Sequence, residues 1–323
     1  MATSTTADTA AARPARHRRR HTRHTPAGEV VIGYLNAQAA RLGSLDMAVR
    51  RDKPDAVHQM RVTVRRLRST LQSFTAVVAG PDTKKLRDEL KWLGGVLGEA
   101  RDAEVLADHL HAGLAAVPAE LVLGPAQARV TAYFASREAS ARGELLEVLD
   151  SQRYRALRAE LSKLLERPPL TPEAAEPAGK VLPAAVGHAA RRTRKRMKRA
   201  GRAPAGHPRD AALHETRKAA KRARYTAEAA APALGKKTGR KARRLAKGMK
   251  RVQSVLGDHQ DAIIARATAR DIGVQAHLAG ENGFSFGLLH ERAHHQAIDS
   301  ERQARKAWRH ARKASRGGWL PTA

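Results

Sequence analysis

Apolar residues recur three and four positions apart through most of this chain, a spacing typical of α-helices that bury one face. Projected at about 100° per residue, Met60, Val64, Leu67 and Leu71 share one face of a predicted helix and are expected to face a core. The same reasoning predicts helices at roughly 28–50, 55–79, 82–98, 102–115, 125–166 (broken near Asp150), 180–200, 210–230, 236–256, 258–278 and 284–314.

The two halves of the sequence repeat each other. DAVHQMRVTVRRLRS in the first half is echoed by DAALHETRKAAKRARY in the second, which pairs His58 with His214 and Arg61 with Arg217. KLRDELKWLGGVLGEARD is echoed by RLAKGMKRVQSVLGDHQD, with LG turns that are expected to separate helices. A weaker echo pairs Arg41 with Arg191. Three matches in the same order indicate an internal duplication.

Each repeat also carries a basic stripe directly beside its apolar stripe. In the first repeat His58, Arg61, Arg65 and Arg68 fall within an arc of about 80°. No carboxylate lies within the stripe of either repeat, so like charges one turn apart repel each other. An anionic ligand would offset this repulsion, and the alternative is an exposed basic face with no specific ligand. The second stripe comprises His214, Arg217, Lys221 and Arg224, widened by Lys218 and Tyr225, over an apolar face of Leu213, Thr216, Ala220, Ala223 and Ala227.

The charge of the chain is large and unevenly distributed. The 323 residues contain 61 Lys and Arg against 31 Asp and Glu, a net charge of +30. Residues 178–323 contribute 34 basic and 10 acidic residues, whereas residues 24–177 are almost neutral, with 21 and 20. Such an excess indicates a polyanionic partner: nucleic acid, an anionic membrane surface or a phosphate polymer. The four prolines of PPLTPEAAEP, residues 168–177, predict a linker between the halves.

Composition excludes several classes of protein and of site. The chain has no cysteine, which excludes disulfides and thiolate metal sites and fits a reducing cytoplasm. Aromatic residues make up only 3%, so an all-β fold is not expected, and no apolar run is long enough to span a membrane. Nucleotide-binding, hydrolase and zinc-protease motifs are absent, because HERAH at 290–294 lacks the HExxH spacing. We expect no catalytic residues, no metal site and no cofactor.

The HxxRVxxRRLR string at 58–68, its copy HExRKxxKRxRY at 214–225 and the LGxxRD turn at 97–102 resemble the conserved histidine α-helical domain, CHAD. The resemblance covers about residues 28–316 and implies an all-α fold of two pseudo-symmetric four-helix bundles that form a basic central groove or pore. The expected divisions are a disordered basic arm (1–25), repeat 1 (26–167), the linker (168–177), repeat 2 (178–316) and a tail (317–323).

The resemblance further implies non-catalytic binding of inorganic polyphosphate by a cytoplasmic protein associated with polyphosphate granules. No ExExK motif is present, so the triphosphate-tunnel activity that often accompanies this domain is not implied. A nucleic-acid-binding, nucleoid-associated protein is the alternative, although the aromatic residues that stack single-stranded bases are scarce. The residues expected to bind polyphosphate are His58, Arg61, Arg65, Arg66, Arg68, His214, Arg217, Lys218, Lys221, Arg222, Arg224 and Tyr225, with Arg41, Lys91, Arg191 and Lys250 in support.

Overall fold

The computed structural model of the chain describes residues 21–315 and 318–321. Within these residues the fold is all-α, as predicted, with nine α-helices and no strand. Most of the expected N-terminal arm, residues 1–20, lies outside the described residues. The helices are α1 (Ala27–Arg50), α2 (Ala56–Ser73), α3 (Pro81–Ala115), α4 (Ala126–Asp150), α5 (Gln152–Glu166), α6 (Ala178–Arg202), α7 (His207–Ala230), α8 (Gly235–Leu278) and α9 (Phe284–Ala314).

Helices α3 and α8 are longer than the sequence predicted. Both run without interruption through the LG positions, so the predicted breaks after residues 98 and 256 are wrong. Asp102 and Asp261 consequently lie inside helices and do not start them. The break predicted near Asp150 is confirmed, because Ser151 ends α4 and caps α5, its Oγ accepting a hydrogen bond from the Tyr154 backbone N–H at 3.1 Å.

The apolar stripe predicted on α2 is confirmed as core. Met60, Val64, Leu67 and Leu71 are at most 1% exposed. Full burial of side chains of this size stabilises a fold by about 1.5–3 kcal/mol each. On α7 the predicted small residues are buried as well, and Ala220, Ala223 and Ala227 are fully inaccessible. Because alanine has only a methyl side chain, it lets neighbouring helices approach α7 closely.

The two halves of the chain contact each other in several places, two of which bear on the site. Helix α2 packs against α7, where the Thr226 hydroxyl hydrogen-bonds Ser73 Oγ at 2.7 Å. A separate apolar cluster joins the C-terminal part of α3 and the N-terminal part of α4 to α8 and α9. It includes Leu110, Phe134 and Phe286. The first contact sets the basic stripes of α2 and α7 beside each other.

The segment between the halves is itself packed. Residues 168–177 contain a short 3-10 helix at Pro172–Ala175, and the Ala79 backbone N–H donates to the Pro169 carbonyl at 3.0 Å. The described end of the basic arm also pairs with the second half, since the Ala178 N–H donates to the Thr25 carbonyl at 2.8 Å. These backbone contacts hold the start of α6 beside the start of α1.

Candidate anion-binding site

The basic stripes of α2 and α7 converge at their interface. The pKa of Lys221 is lowered to about 6, first by burial and then by the positive charges of Arg217, Arg65 and Arg61. Burial is also the main reason why the pKa of Arg65 is lowered, and Arg61 and Arg217 add to it. Charges from both helices therefore act on each other at short range. We call the following six residues the central cluster: Arg61, Arg65, Arg68, Arg217, Lys221 and Arg222.

One side of the central cluster extends to α6. Burial lowers the pKa of Arg222 to about 10, and the charges of Arg192, Arg68 and Arg196 lower it further. The pKa of Arg68 is lowered by burial alone. Arg192 and Arg196 were not among the predicted site residues. The signal for them was present in the sequence, because both belong to the run RRTRKRMKR at the end of α6.

Carboxylates reach part of the predicted site from other turns and helices. Asp102 of α3 accepts two hydrogen bonds from the Arg61 guanidinium, at 2.6 and 3.3 Å. Glu228 accepts from Arg224 Nε at 2.6 Å and also pairs with Arg66 at 3.5 Å. These pairs neutralise charges that the helical projection left unpaired.

Five basic side chains of the central cluster keep no such partner. Among the described residues, no carboxylate oxygen lies within 4.0 Å of Arg65, Arg68, Arg217, Lys221 or Arg222. The buried Nε atoms of Arg65 and Arg217 also lack a hydrogen-bond partner. Like charges that are partly buried and unpaired are costly, and an anion held between them would lower that cost.

A glycine in the next helix makes room for one arginine in each half. A Cβ added to Gly98 of α3 would lie 3.2 Å from Arg61 Nη2, and one added to Gly257 of α8 would lie 3.0 Å from Arg217 Nη2. The guanidinium groups therefore rest against bare helix backbone. The repeated glycine, interpreted from the sequence as part of a turn, permits this close approach within a continuous helix.

The two motif histidines are half-buried and differ in their partners. His214 Nδ1 hydrogen-bonds Gln260 Oε1 at 2.8 Å. Arg101 occupies the position of Gln260 in the first half, and it pairs with Glu104 instead. Burial lowers the pKa of both His58 and His214, and nearby lysines and arginines lower it further. A lowered pKa favours the neutral imidazole at pH 7, and neutral His214 already donates its single N–H to Gln260 Oε1.

Tyr225 and Lys218 occupy positions that differ from the rest of the predicted stripe. Tyr225 is 2% exposed, and its ring lies beside the guanidinium carbons of Arg66 and Arg224, at 5.8 and 5.3 Å. The ring packs against these two arginines and is not open to solvent. Lys218 is exposed and pairs with Glu215, its neighbour one turn earlier on α7.

The four supporting residues contact other parts of the molecule. Arg41 donates to Gln59 Oε1 at 2.9 Å, and Arg191 donates to the Pro321 carbonyl at 2.9 Å. Lys250 is exposed and lines a cavity with Glu228, and Lys91 is exposed on α3. In the described part of the chain, no hydrogen bond or ion pair connects these four side chains to the central cluster.

The histidine-rich stretch of α9 makes ordinary polar contacts. His290 Nε2 accepts from Arg266 Nε at 3.1 Å, and His295 lies 3.1 Å from Glu291. Across residues 21–315 and 318–321, no three His, Asp or Glu side chains are grouped in a way that could hold a metal ion. None of the helices described is long and apolar enough to cross a bilayer.

Comparison with solved structures identifies the same architecture elsewhere. The chain is similar to PptA from Streptomyces chartreusis, with a TM-score of 0.73 and 22% identity, over 88% of this chain and 100% of that one. It is also similar to the CHAD domain from the plant Ricinus communis, with a TM-score of 0.65 and 26% identity, over 90% and 93% of the two chains.

Sequence comparison adds a relative and a family. The chain is 36% identical to the uncharacterized protein MT2285 from Mycobacterium tuberculosis over 291 residues, which is 90% of this chain. The match spans only 55% of the length of that relative. The family model of the CHAD domain matches residues 33–270 of this chain. The resemblance drawn from the basic motifs is thereby confirmed, and the chain belongs to the CHAD domain family.

Proposed function

We propose that the protein binds inorganic polyphosphate, without catalysis, through the central cluster of α2 and α7. One observation carries the proposal: five partly buried basic side chains from the two halves meet with no carboxylate within 4.0 Å, in the described residues. A bound chain of phosphates would supply the missing negative charge. Arginine suits this ligand because its planar guanidinium donates two parallel hydrogen bonds to phosphate oxygens.

The position of the cluster favours a thin polyanion over a nucleic acid. Its basic side chains lie partly buried between packed helices, a setting that suits a phosphate chain without bases or sugars. A DNA duplex presents its phosphates on a stiff, wide rod, and single strands are bound mainly by stacking on exposed aromatic rings. The one aromatic ring of the predicted site, Tyr225, is buried and cannot stack on a base.

The proposed architecture is the pair of pseudo-symmetric four-helix bundles that the family resemblance implies. Repeat 1 (26–167) and repeat 2 (178–316) would enclose a basic groove or pore, connected by residues 168–177. The equivalent placement of Arg61 over Gly98 and of Arg217 over Gly257 supports a twofold relationship. We also propose, on the resemblance alone, a cytoplasmic protein located at polyphosphate granules.

Competition between ligands tests the proposal. Labelled polyphosphate is titrated with the full chain at several salt concentrations, and is then displaced by unlabelled polyphosphate or duplex DNA at equal phosphate concentration. We expect polyphosphate to compete better than DNA and the affinity to fall steeply with salt, since binding releases condensed counterions. Preferential displacement by DNA would favour the nucleic-acid alternative, and release of free phosphate would contradict binding without catalysis.

A further inference from the structure

A second basic surface lies between α6 and α9. Its side chains surround a cavity of about 1310 Å³, whose lining includes Leu213 of α7 and Trp308 of α9. Cations line it from both sides, and Glu301 is the only carboxylate among the described residues that line it. We call this surface the α6/α9 groove.

Most cations of the α6/α9 groove are unpaired. Glu301 already pairs with Arg209 and Arg305, and Arg302 pairs with Asp299. In the described part of the chain, no carboxylate lies within 4.0 Å of the remaining basic side chains that face the groove from α6 and α9. These are Arg191, Arg194, Lys195, Lys198, Lys306, Arg309 and Arg312. Seven unneutralised charges around one cavity strongly attract an anion.

Helix α6 connects the α6/α9 groove to the central cluster. Its Arg192 and Arg196 lie near Arg222, whereas Arg194 and Lys198 face the groove. Residues 192 and 196 are one helical turn apart, so they share one face of α6 and leave the opposite face to the groove. The two basic surfaces are separated by about the 10 Å width of a single helix.

We propose that the α6/α9 groove is a second binding surface for long polyphosphate chains that continue from the central cluster around α6. This inference rests on the function proposed above. A flexible chain can follow the charges of α6 from one surface to the other, which a stiff duplex cannot do. Engagement of both surfaces by one chain raises the affinity, because the second contact forms within the same complex.

Two double variants with the same change in charge test the groove. Lys198→Glu with Lys306→Glu reverses two exposed groove lysines. Lys85→Glu with Lys163→Glu reverses two exposed lysines at a different surface, between α3 and α5. Each variant, and the unmodified chain, is titrated with tripolyphosphate and with a polyphosphate of about 100 phosphates. Tripolyphosphate is too short to pass around a helix about 10 Å wide.

We expect the groove variant to bind the long chain at least about tenfold more weakly than the control variant does. Both variants should bind tripolyphosphate as tightly as the unmodified chain. Equal long-chain affinity of the two variants would contradict the groove, as would a parallel loss of both ligands in the groove variant. A selective loss of duplex DNA binding would assign the groove to nucleic acid. If the unmodified chain binds neither phosphate ligand, the proposed function itself fails.

Discussion

Arg224 and Glu228 form an ion pair of 2.6 Å that the first half of the chain does not repeat. The equivalent of Arg224 in the first half is Arg68. The residue four positions after Arg68 is Gln72, which is exposed. Glu228 also pairs with Arg66, so one carboxylate is shared by two arginines on one side of the site. The other side, with Arg68 and Arg222, keeps its charge. The duplicated sequence thus produces a site that is electrostatically asymmetric.

This asymmetry predicts opposite effects of two substitutions on polyphosphate binding. Gln72→Glu places a carboxylate one turn from Arg68 and should weaken binding about fivefold, with a gain in stability of about 0.2–0.5 kcal/mol. Glu228→Gln frees Arg66 and Arg224, and should strengthen binding. Titration calorimetry measures both, with Gln152→Glu as a control that adds the same charge on α5. Equal effects of Gln72→Glu and the control would argue against a role for Arg68.

Lys221 is expected to oppose folding and to favour binding. Its amino group is partly buried near Arg65 and Arg217, with no carboxylate of the described residues within 4.0 Å. Lys221→Met keeps the length of the side chain, removes the charge and should stabilise the free protein by about 1–3 kcal/mol. The same variant should bind polyphosphate about tenfold more weakly, a loss of about 1.4 kcal/mol.

Urea unfolding and ligand titration measure these two effects, and Lys163→Met on the exposed face of α5 is the matched control. A Lys221→Met protein that is less stable than the unmodified chain would show that the ammonium group has a favourable partner. An unchanged affinity would remove Lys221 from the site.

The pH dependence of stability follows from the same residue. The pKa of Lys221 is about 6 in the folded chain and 10.5 without these surroundings. Between these values the unfolded chain binds more protons, so the free energy of unfolding rises with pH. One proton gives a slope of about 1.4 kcal/mol per pH unit. The pKa values of His58 and His214 are lowered below 6.5, so neither histidine contributes to the pH dependence of stability between about pH 7 and pH 9.

Unfolding curves across this range should show the slope in the unmodified chain and lose it in Lys221→Met. Polyphosphate should raise the pKa of Lys221, so binding at pH 7 takes up about one proton and weakens as the pH rises. Calorimetry in buffers of different ionisation enthalpy measures the uptake. Identical pH profiles in the two proteins would contradict the titration of Lys221.

Gly257 is expected to lower the stability of α8 and to allow Arg217 to lie close to the helix backbone. Gly257→Ala removes a glycine from the interior of α8, which should stabilise the helix by about 0.5–1 kcal/mol. The new Cβ would lie 3.0 Å from Arg217 Nη2, so the guanidinium group must move and polyphosphate binding should weaken severalfold. Gly143→Ala is the control, since a Cβ there meets nothing within 4 Å. Unaltered binding by Gly257→Ala would show that the position of Arg217 is unimportant.

Several features of the fold and the site could be read directly from the sequence. Helical periodicity predicted the all-α fold and the buried face of α2, because burial of one face imposes the spacing of Met60, Val64 and Leu67. The duplicated HxxR motifs identified the family. Periodicity failed at the LG positions, where glycine was interpreted as the end of a helix. Its actual role, a close approach by Arg61 or Arg217, depends on a second helix.

Helical periodicity is enough to place several charges on one face, since neighbours one turn apart are set by the geometry of the helix. Which of those charges remain unpaired depends on how the helices pack against each other. Asp102 is 41 residues from Arg61, and Arg192 approaches Arg222 from another helix. Electrostatic energy depends on distance in space and on burial, which the order of residues along a chain does not specify.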